Sequence, residues 1–180
     1  MLSDNGPHPI IDPMPRLQTL AAAKVNLTLR VLARRADNNH DLTSLVAFAA
    51  IGDRLELDPG SGLELSVHGP TAAVFQKYQA FIGGRRDAPY AVSDIPKRRK
   101  ALVEFIGREG NDLARAARSV APVIAAAEES LDENRAELVR MSGSGSGVFG
   151  IFEDKDEAKD AALTIRKERP GWWAVATTLR

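Results

Sequence analysis

The sequence contains no cysteine, which excludes disulfide bonds, thiolate metal ligands and cysteine nucleophiles. It also lacks net charge, because 24 basic residues balance 24 acidic ones, so no global field attracts nucleic acid or an anionic membrane. No apolar run is long enough to span a bilayer. Residues 1–15 show neither the cationic start nor the apolar segment of a secretory signal. We therefore expect a cytoplasmic protein with a disordered tail at residues 1–15 and no nucleic-acid or membrane partner.

A metal site is not predicted either. The histidines His8, His40 and His68 lie far apart, and no carboxylate pattern surrounds them. Hydrophobic residues make up 44% of the chain, which is enough for a packed core.

The first part of the chain has the period-2 alternation of β-strands. Apolar and polar residues alternate over residues 25–31, turn-forming residues follow at 34–40, and the continuous apolar run at 45–51 is typical of a fully buried strand. Gly52 and Asp53 are predicted to turn the chain, and alternation returns at residues 55–57 and 63–67. The pattern predicts a small, mostly antiparallel sheet.

The second part of the chain indicates helices packed on a sheet. Helical spacing appears at residues 72–82, and residues 85–108 carry no clear pattern apart from a basic run at 97–100. After the helix-capping pair Asn111 and Asp112, we expect helices broken at Pro122, strands at 136–141 and 148–152, a helix at 154–168 and a last strand at 172–179. This α-β-β-α-β order predicts a two-layer α+β unit over residues 107–180, which follows an N-terminal unit over residues 16–106.

Two polar segments at opposite ends of the chain carry the candidate chemistry. Lys24 and Asn26 share one face of a predicted strand, where a lysine is ordinarily only solvated but in a phosphotransferase would hold a phosphate as a point charge. Gly143, Ser144 and Gly145 lie in an alternating Gly/Ser run, whose backbone can adopt positive φ and offer N–H groups to a phosphate or sugar. A tight hairpin connection explains that run equally well on local grounds.

Several motifs together resemble the 4-diphosphocytidyl-2-C-methyl-D-erythritol kinases of the GHMP kinase superfamily. The similar segments are AAKVNLTL (22–29), RRAD (34–37), HDL (40–42), SLVAF (44–48), GDRL (52–55), NDL (111–113), MSGSG (141–145) and PGWW (170–173). The resemblance implies an α+β, GHMP-kinase-like fold with an incomplete N-terminal, mostly antiparallel sheet domain and a C-terminal α-β-β-α-β two-layer domain. It further implies ATP with Mg²⁺ as cofactor and phosphorylation of the 2-hydroxyl of a cytidyl diphosphate sugar alcohol, a step of non-mevalonate isoprenoid biosynthesis.

The same resemblance implies roles for particular residues. Lys24 would lie beside the reacting hydroxyl and phosphate with Asn26 nearby, and His40 would read the cytosine edge. Gly143, Ser144 and Gly145 would form the floor of the phosphate and substrate site. The segment SDIP (93–96) is similar to the family's aspartate motif, which would make Asp94 the base that orients or deprotonates the hydroxyl.

The chain departs from the family where ATP would bind. Between Gly69 and Asn111 only Gly83 and Gly84 stand where family members have a Gly-rich loop that opens a helix and cradles the phosphates. The aromatic residue expected before the histidine is also missing, because residues 38 and 39 are both asparagine. We therefore expect an internally truncated chain with little or no kinase activity. The alternatives are a non-catalytic remnant and a module that binds cytidine nucleotides.

The truncation also has a structural consequence. Loss of the central layers would leave apolar faces exposed, so we expect self-association and a lower stability than that of a complete family member.

Overall fold

The computed structural model describes residues 17–37, 39–57, 77–78 and 89–180. The elements in chain order are β1 (Leu17–Asn26), β2 (Arg30–Arg34), β3 (His40–Thr43), β4 (Val46–Leu57), a 3₁₀ turn (Val92–Asp94), α1 (Arg99–Glu109), α2 (Ala114–Val120), α3 (Val123–Glu133), β5 (Leu138–Met141), β6 (Val148–Ile151) and α4 (Lys155–Glu168). Helices combined with small antiparallel sheets confirm the predicted α+β class.

The described strands form three antiparallel pairs, β1–β4, β2–β3 and β5–β6. The alternation over residues 25–31 predicted one strand, but the structure divides it at residues 27–29 into β1 and β2. The break arises because Leu29 leaves the sheet to form a parallel bridge with Asn111. There the Leu29 N–H donates to the Gly110 carbonyl at 3.0 Å, and the Asp112 N–H donates to the Leu29 carbonyl at 2.9 Å.

The predicted turn at Gly52 and Asp53 is wrong. β4 continues through both residues, because Gly52 pairs with Ala22 and Asp53 with Ala21 of β1. Pairing along the full length of β1 outweighs the local preference of a Gly-Asp dipeptide for a turn.

The prediction of a fully buried strand at residues 45–51 is also wrong. Ala47 and Ala49 are buried, whereas Val46 and Phe48 are 37% and 50% exposed. Burial therefore alternates along β4, since α1 packs against the face that carries Ala47.

The predicted last strand at residues 172–179 is not formed as a regular element. The chain end instead pairs with β4 through an isolated bridge between Leu179 and Ala49. The Phe48 N–H donates to the Arg180 carbonyl at 3.1 Å, and the Arg180 N–H donates to the Phe48 carbonyl at 2.9 Å. The edge of β4 opposite β1 thus forms backbone hydrogen bonds with the chain end. The chain end consequently pairs with the N-terminal sheet rather than with β5 and β6.

The helices agree with the sequence where their signals are local. Pro122 separates α2 from α3, and Asp154 caps α4 by accepting the N–H groups of Asp156 and Glu157. Of the helix predicted at 72–82, only Lys77 and Tyr78 are described, and both are helical. The rest of that helix, the tail at 1–15 and the strand at 63–67 lie outside the described residues. No helix of the described ranges is long and apolar enough to cross a membrane.

Residues 85–108, which show no clear sequence pattern, include the 3₁₀ turn and nearly all of α1. In its basic run, Arg99 makes a bidentate ion pair with Glu137 at 3.1 and 2.8 Å and donates to the Phe152 carbonyl. The hydrogen bond with Glu137 raises the pKa of the Arg99 guanidinium. At least this member of the run serves to attach α1 to the β5–β6 hairpin.

Two buried clusters join the two ends of the chain. In one, Leu29 and Val31 pack with residues of α2, α3, β5 and the turn before α2, namely Leu113, Ala114, Ala116, Ala117, Ile124 and Met141. In the other, Leu27 and Ala47 pack with Phe105 and Ile106 of α1. The segment at residues 27–31 enters both clusters and thereby fixes the end of β1 against the C-terminal helices. The predicted boundary at residues 106 and 107 lies inside α1, and the division into two units stays a prediction.

Candidate functional site

The end of β1 and the Gly/Ser run meet in the structure. The backbone N–H of Asn26 donates to Ser142 Oγ at 2.9 Å. A Cβ atom added to Gly143 would lie 3.3 Å from Asn26 Oδ1, so the loop backbone approaches this side chain closely. We call this contact between Asn26, Ser142 and Gly143 the loop junction.

The Gly/Ser run connects β5 to β6 as a hairpin loop. The Ser142 N–H donates to the Gly147 carbonyl at 2.8 Å, and the Gly145 N–H donates to the Ser142 carbonyl at 3.0 Å. Gly143 and Gly145 have φ of 59° and 92°, in the region that favours glycine. A side chain at Gly145 would also lie within 3.1 Å of Ile124 and 3.2 Å of Met141. The hairpin interpretation is therefore correct, and it leaves a ligand-binding role open.

Asn111 holds the loop from the helical side. Its Nδ2 donates to the carbonyl groups of Met141 and Gly143, both at 2.8 Å, while its Oδ1 accepts the Leu113 N–H at 2.9 Å. The sequence predicted Asn111 and Asp112 as the helix cap, but α2 follows Leu113 and no side chain caps it. The bond from the Leu113 N–H to Asn111 Oδ1 instead closes the turn before the helix. Nothing in the sequence indicated the contacts with the loop, since these join residues some thirty positions apart.

A chain of hydrogen bonds supports Asn26 from the other side. Its Nδ2 donates to Ser44 Oγ at 2.7 Å, and Ser44 Oγ donates to the Thr28 carbonyl at 2.6 Å. The Thr28 hydroxyl is fully buried, accepts the Leu45 N–H at 2.9 Å and lies 2.7 Å from the Tyr90 hydroxyl. These contacts fix the orientation of the Asn26 amide, with its oxygen towards Gly143. Ser44 and Tyr90 are site residues that sequence reasoning did not single out.

Lys24 lies on the solvent face of β1, opposite Phe48 of β4. Its side chain is exposed, and within the described ranges its ammonium makes no hydrogen bond or ion pair. The alternation that predicted a shared face for Lys24 and Asn26 fits this arrangement, because Val25 between them packs towards the buried cluster. The role of Lys24 beside a phosphate stays a prediction.

Asp94 lies in the 3₁₀ turn before α1. Its carboxylate caps its own 3₁₀ turn, accepting the Ala91 N–H at 2.8 Å and the Ser93 hydroxyl at 3.4 Å. The next residue, Ile95, packs against the cluster that also receives Val25, which is the buried side of β1. The role of the Asp94 carboxylate as a base stays a prediction.

His40 begins β3, opposite Arg34 in the β2–β3 hairpin, and so belongs to a different sheet from Lys24. The preceding turn is closed by the Asn39 N–H, which donates to Asp37 Oδ1 at 3.1 Å and lowers the pKa of that carboxyl. Asn39 is exposed, and Asn38 lies outside the described residues. Recognition of a cytosine edge by His40 stays a prediction.

No metal cage is formed by the residues that the structure describes. Over the described ranges, no group of three or more His, Asp or Glu side chains could hold a metal ion. Mg²⁺ that binds together with a nucleotide needs only one or two carboxylates besides the phosphates. The carboxylate that the resemblance offers, Asp94, accepts the Ala91 N–H of its own turn, and a role for Mg²⁺ stays a prediction.

Comparison with protein families identifies the C-terminal part of the chain. Residues 93–170 match the family described as GHMP kinases C terminal. This range contains α1 to α4, the β5–β6 hairpin, Asn111 and the Gly/Ser run.

Relatives of the chain are named 4-diphosphocytidyl-2-C-methyl-D-erythritol kinase. The protein from Bradyrhizobium diazoefficiens is 28% identical over 296 aligned positions, which cover 94% of this chain and 100% of the relative. The protein from Methylobacterium radiotolerans is 36% identical over 133 positions, covering 72% of this chain and 46% of the relative. The alignment with the Bradyrhizobium protein exceeds the 180 residues of this chain by 116, so at least 116 of its positions have no counterpart here.

A solved structure has a similar fold. The crystal structure of a 4-(cytidine 5'-diphospho)-2C-methyl-D-erythritol kinase superposes with a TM-score of 0.56 and 20% identity, covering 91% of this chain and 99% of the other. At 20% sequence identity, this similarity shows a common fold and no more.

Proposed function

The chain belongs to the GHMP kinase superfamily, and from this premise we propose that it derives from an ATP-dependent kinase of 4-diphosphocytidyl-2-C-methyl-D-erythritol but has little or no kinase activity itself. The ancestral reaction is phosphorylation of the substrate 2-hydroxyl in isoprenoid biosynthesis. Loss of the ATP site distinguishes this chain from its relatives.

The observation that carries the proposal is the missing Gly-rich loop between Gly69 and Asn111. Phosphoryl transfer depends almost entirely on positioning and on electrostatic stabilisation of the nucleotide phosphates. A loop of backbone N–H groups at a helix N-terminus supplies much of both. The shortfall of at least 116 positions against the Bradyrhizobium relative supports an internal truncation.

The loop junction favours a second candidate function, the binding of a cytidyl compound without chemistry. Asn26, Ser142 and Gly143 remain in contact, and Asn111 and Ser44 hold them in place. Lys24 offers an exposed cation two residues from Asn26 on the same face of β1. Such an arrangement suits a small anionic ligand such as a cytidyl diphosphate, even where ATP is not held.

A coupled assay of ADP release tests the loss of activity. The full chain is incubated with ATP, Mg²⁺ and the cytidyl substrate beside the Bradyrhizobium relative under identical conditions. We expect ADP release at the background rate from this chain and clear turnover from the relative. Turnover comparable to that of the relative would refute the proposal.

Calorimetric titration separates the two non-catalytic alternatives. Binding of CDP without binding of ATP supports a cytidine-nucleotide module, and binding of neither supports a remnant. Tight ATP binding would contradict both, because it would show that another part of the chain replaces the missing loop.

A further inference from the structure

The backbone of β1 has one edge that pairs with β4 and one that faces away from it. Phe48 of β4 exchanges both of its backbone hydrogen bonds with Arg180, on the far side of β4. Lys24, which lies opposite Phe48, therefore belongs to a non-hydrogen-bonded pair, and its own N–H and C=O groups point away from β4. The direction alternates along a strand, so the same groups of Ala22 and Leu20 also point outward. We call the backbone groups of Leu20, Ala22 and Lys24 the outer edge of β1.

Two contacts agree with this direction. The N–H of Asn26, at an outward position of the same alternation, donates to Ser142 Oγ at 2.9 Å. The carbonyl of Ala21, at an inward position, faces Gly52 of β4. The extra residues of the register shift lie in β4, so the alternation continues along β1. Because the Asn26 N–H is already engaged by the loop, the outer edge ends before it.

The outer edge is unpaired and carries almost no charge. In the described ranges its N–H groups make no hydrogen bond, and residues 19–24 are all exposed, which leaves both faces of the strand open. Residues 17–23 contain no charged side chain. The other edge of this sheet is protected, since Thr178 and Arg180 pair with β4 and the charged residues Asp53 and Arg54 follow. An uncharged, unpaired strand edge is a template for another strand.

We propose that the outer edge of β1 pairs with the same edge of a second copy of this chain, antiparallel and centred on Ala22. The unpaired groups are symmetric about Ala22, so a two-fold axis brings Leu20 opposite Lys24 of the second copy and Ala22 opposite its own counterpart. Each of these opposed pairs exchanges two backbone hydrogen bonds. Two separate β1–β4 ribbons thereby become one four-stranded sheet, which is more stable than an isolated two-stranded ribbon.

Charge favours a second copy as the occupant. In this register the two Lys24 residues lie four positions apart along the paired strands, about 14 Å, which exceeds the screening length at physiological salt. Each Lys24 side chain lies instead beside Leu20 of the other copy, which is 54% exposed and can pack against its aliphatic stem. A charged peptide would find no opposite charge on residues 17–23. Since only three residues of each copy pair, we expect a reversible, concentration-dependent dimer.

Sedimentation velocity of the full chain over a range of concentrations tests the pairing. Ala22→Lys and Ala22→Glu each place like charges opposite one another at the two-fold axis. We expect either variant alone to raise the Kd of the dimer about tenfold or more. An equimolar mixture of the two variants should restore the dimer, because opposite charges then meet. The Ala22 side chain is exposed, so both variants should unfold in urea at the parental midpoint.

Ala50→Lys is the matched control. Ala50 is an exposed alanine of β4 whose N–H already donates to the Thr178 carbonyl, so its substitution should leave the Kd of the dimer unchanged. Equal weakening by Ala50→Lys would overturn the pairing, because a face of the sheet rather than its edge would then join the copies.

The pairing is also overturned if the parent chain stays monomeric at every concentration or assembles beyond a dimer. The same holds if the Ala22 variants dimerise like the parent, or if their mixture does not recover. None of these results alters the ADP-release assay or the calorimetric titration, so the proposed function is judged separately.

Discussion

The C-terminal unit and the β1–β4 sheet differ in the size of the apolar side chains that they bury. The unit has large, fully buried side chains, Leu113 and Met141, whereas the described strands of the sheet bury only Ala47 and Ala49. Large exposed apolar residues occur in both regions. The match to the GHMP kinases C terminal family covers residues 93–170, which include the large buried side chains of the unit.

Core substitutions should separate the two regions most strongly. We expect Leu113→Ala to lower the free energy of unfolding by about 3 kcal/mol, since it opens a cavity in the main cluster. Leu20→Ala makes the same chemical change at a residue that is 54% exposed, and it should stay within about 0.5 kcal/mol of the parent. Urea unfolding measures both. Equal losses would mean that the sheet is as well packed as the C-terminal unit.

Asn111 holds the Gly/Ser loop against the turn before α2, and its removal should have the next largest effect. Asn111→Ala loses three side-chain hydrogen bonds, one to the turn and two to the loop, which together correspond to about 2–3 kcal/mol.

Asn111→Asp distinguishes the bond to the turn from the bonds to the loop. It keeps the acceptor for the Leu113 N–H but places a carboxylate beside two carbonyl oxygens. We expect it to be destabilised like the alanine variant. Recovery of parental stability in urea unfolding would mean that only the bond to the Leu113 N–H matters.

The loop junction can be tested with a pair of glycines. Gly143→Ala should lower stability by about 1–2 kcal/mol, because a side chain at φ of 59° is strained and its Cβ would crowd Asn26. Gly147→Ala is the control, since nothing lies within 4 Å of its Cβ position. Thermal unfolding should show a lower Tm for the first variant only, and an equal decrease in both would refute the close approach.

The smallest loss of stability is expected at Asp154, which caps α4 of the C-terminal unit. Asp154→Ala removes the acceptor for two N–H groups at the start of α4, a change of about 1 kcal/mol. Asp154→Asn retains an acceptor oxygen and should recover most of this loss in urea unfolding. A decrease as large as that of Leu113→Ala would show that α4 depends on its cap more than on burial of Ala161, Ala162 and Ile165.

Features with a local cause were predictable from the sequence. Pro122 cannot continue a helix, Asp154 caps one, and alternating glycines make a hairpin loop, so these elements lie where the sequence puts them. Gly52 and the chain end were mispredicted because strand partners distant in sequence decide their conformation. The propensity of a dipeptide is small against a ladder of backbone hydrogen bonds.

The candidate site likewise has features that the sequence predicts and features that depend on tertiary contacts. The shared face of Lys24 and Asn26 follows from strand periodicity alone. The contact of Asn26 with Gly143, the second role of Asn111 and the part played by Ser44 depend on tertiary packing, which no spacing reveals. Asp94, carried over from a short motif, caps its own 3₁₀ turn, which the motif alone did not indicate.

Direct transfer of labelled phosphate is the most stringent test of the account. The full chain, at a concentration equal to that of the cytidyl substrate, is incubated with ATP labelled at the γ-position, and the sugar alcohol product is separated and counted. We predict no labelled product above a reaction without protein, while the Bradyrhizobium relative labels its substrate completely. Stoichiometric labelling by this chain would contradict the claim that it lost phosphoryl transfer together with the Gly-rich loop.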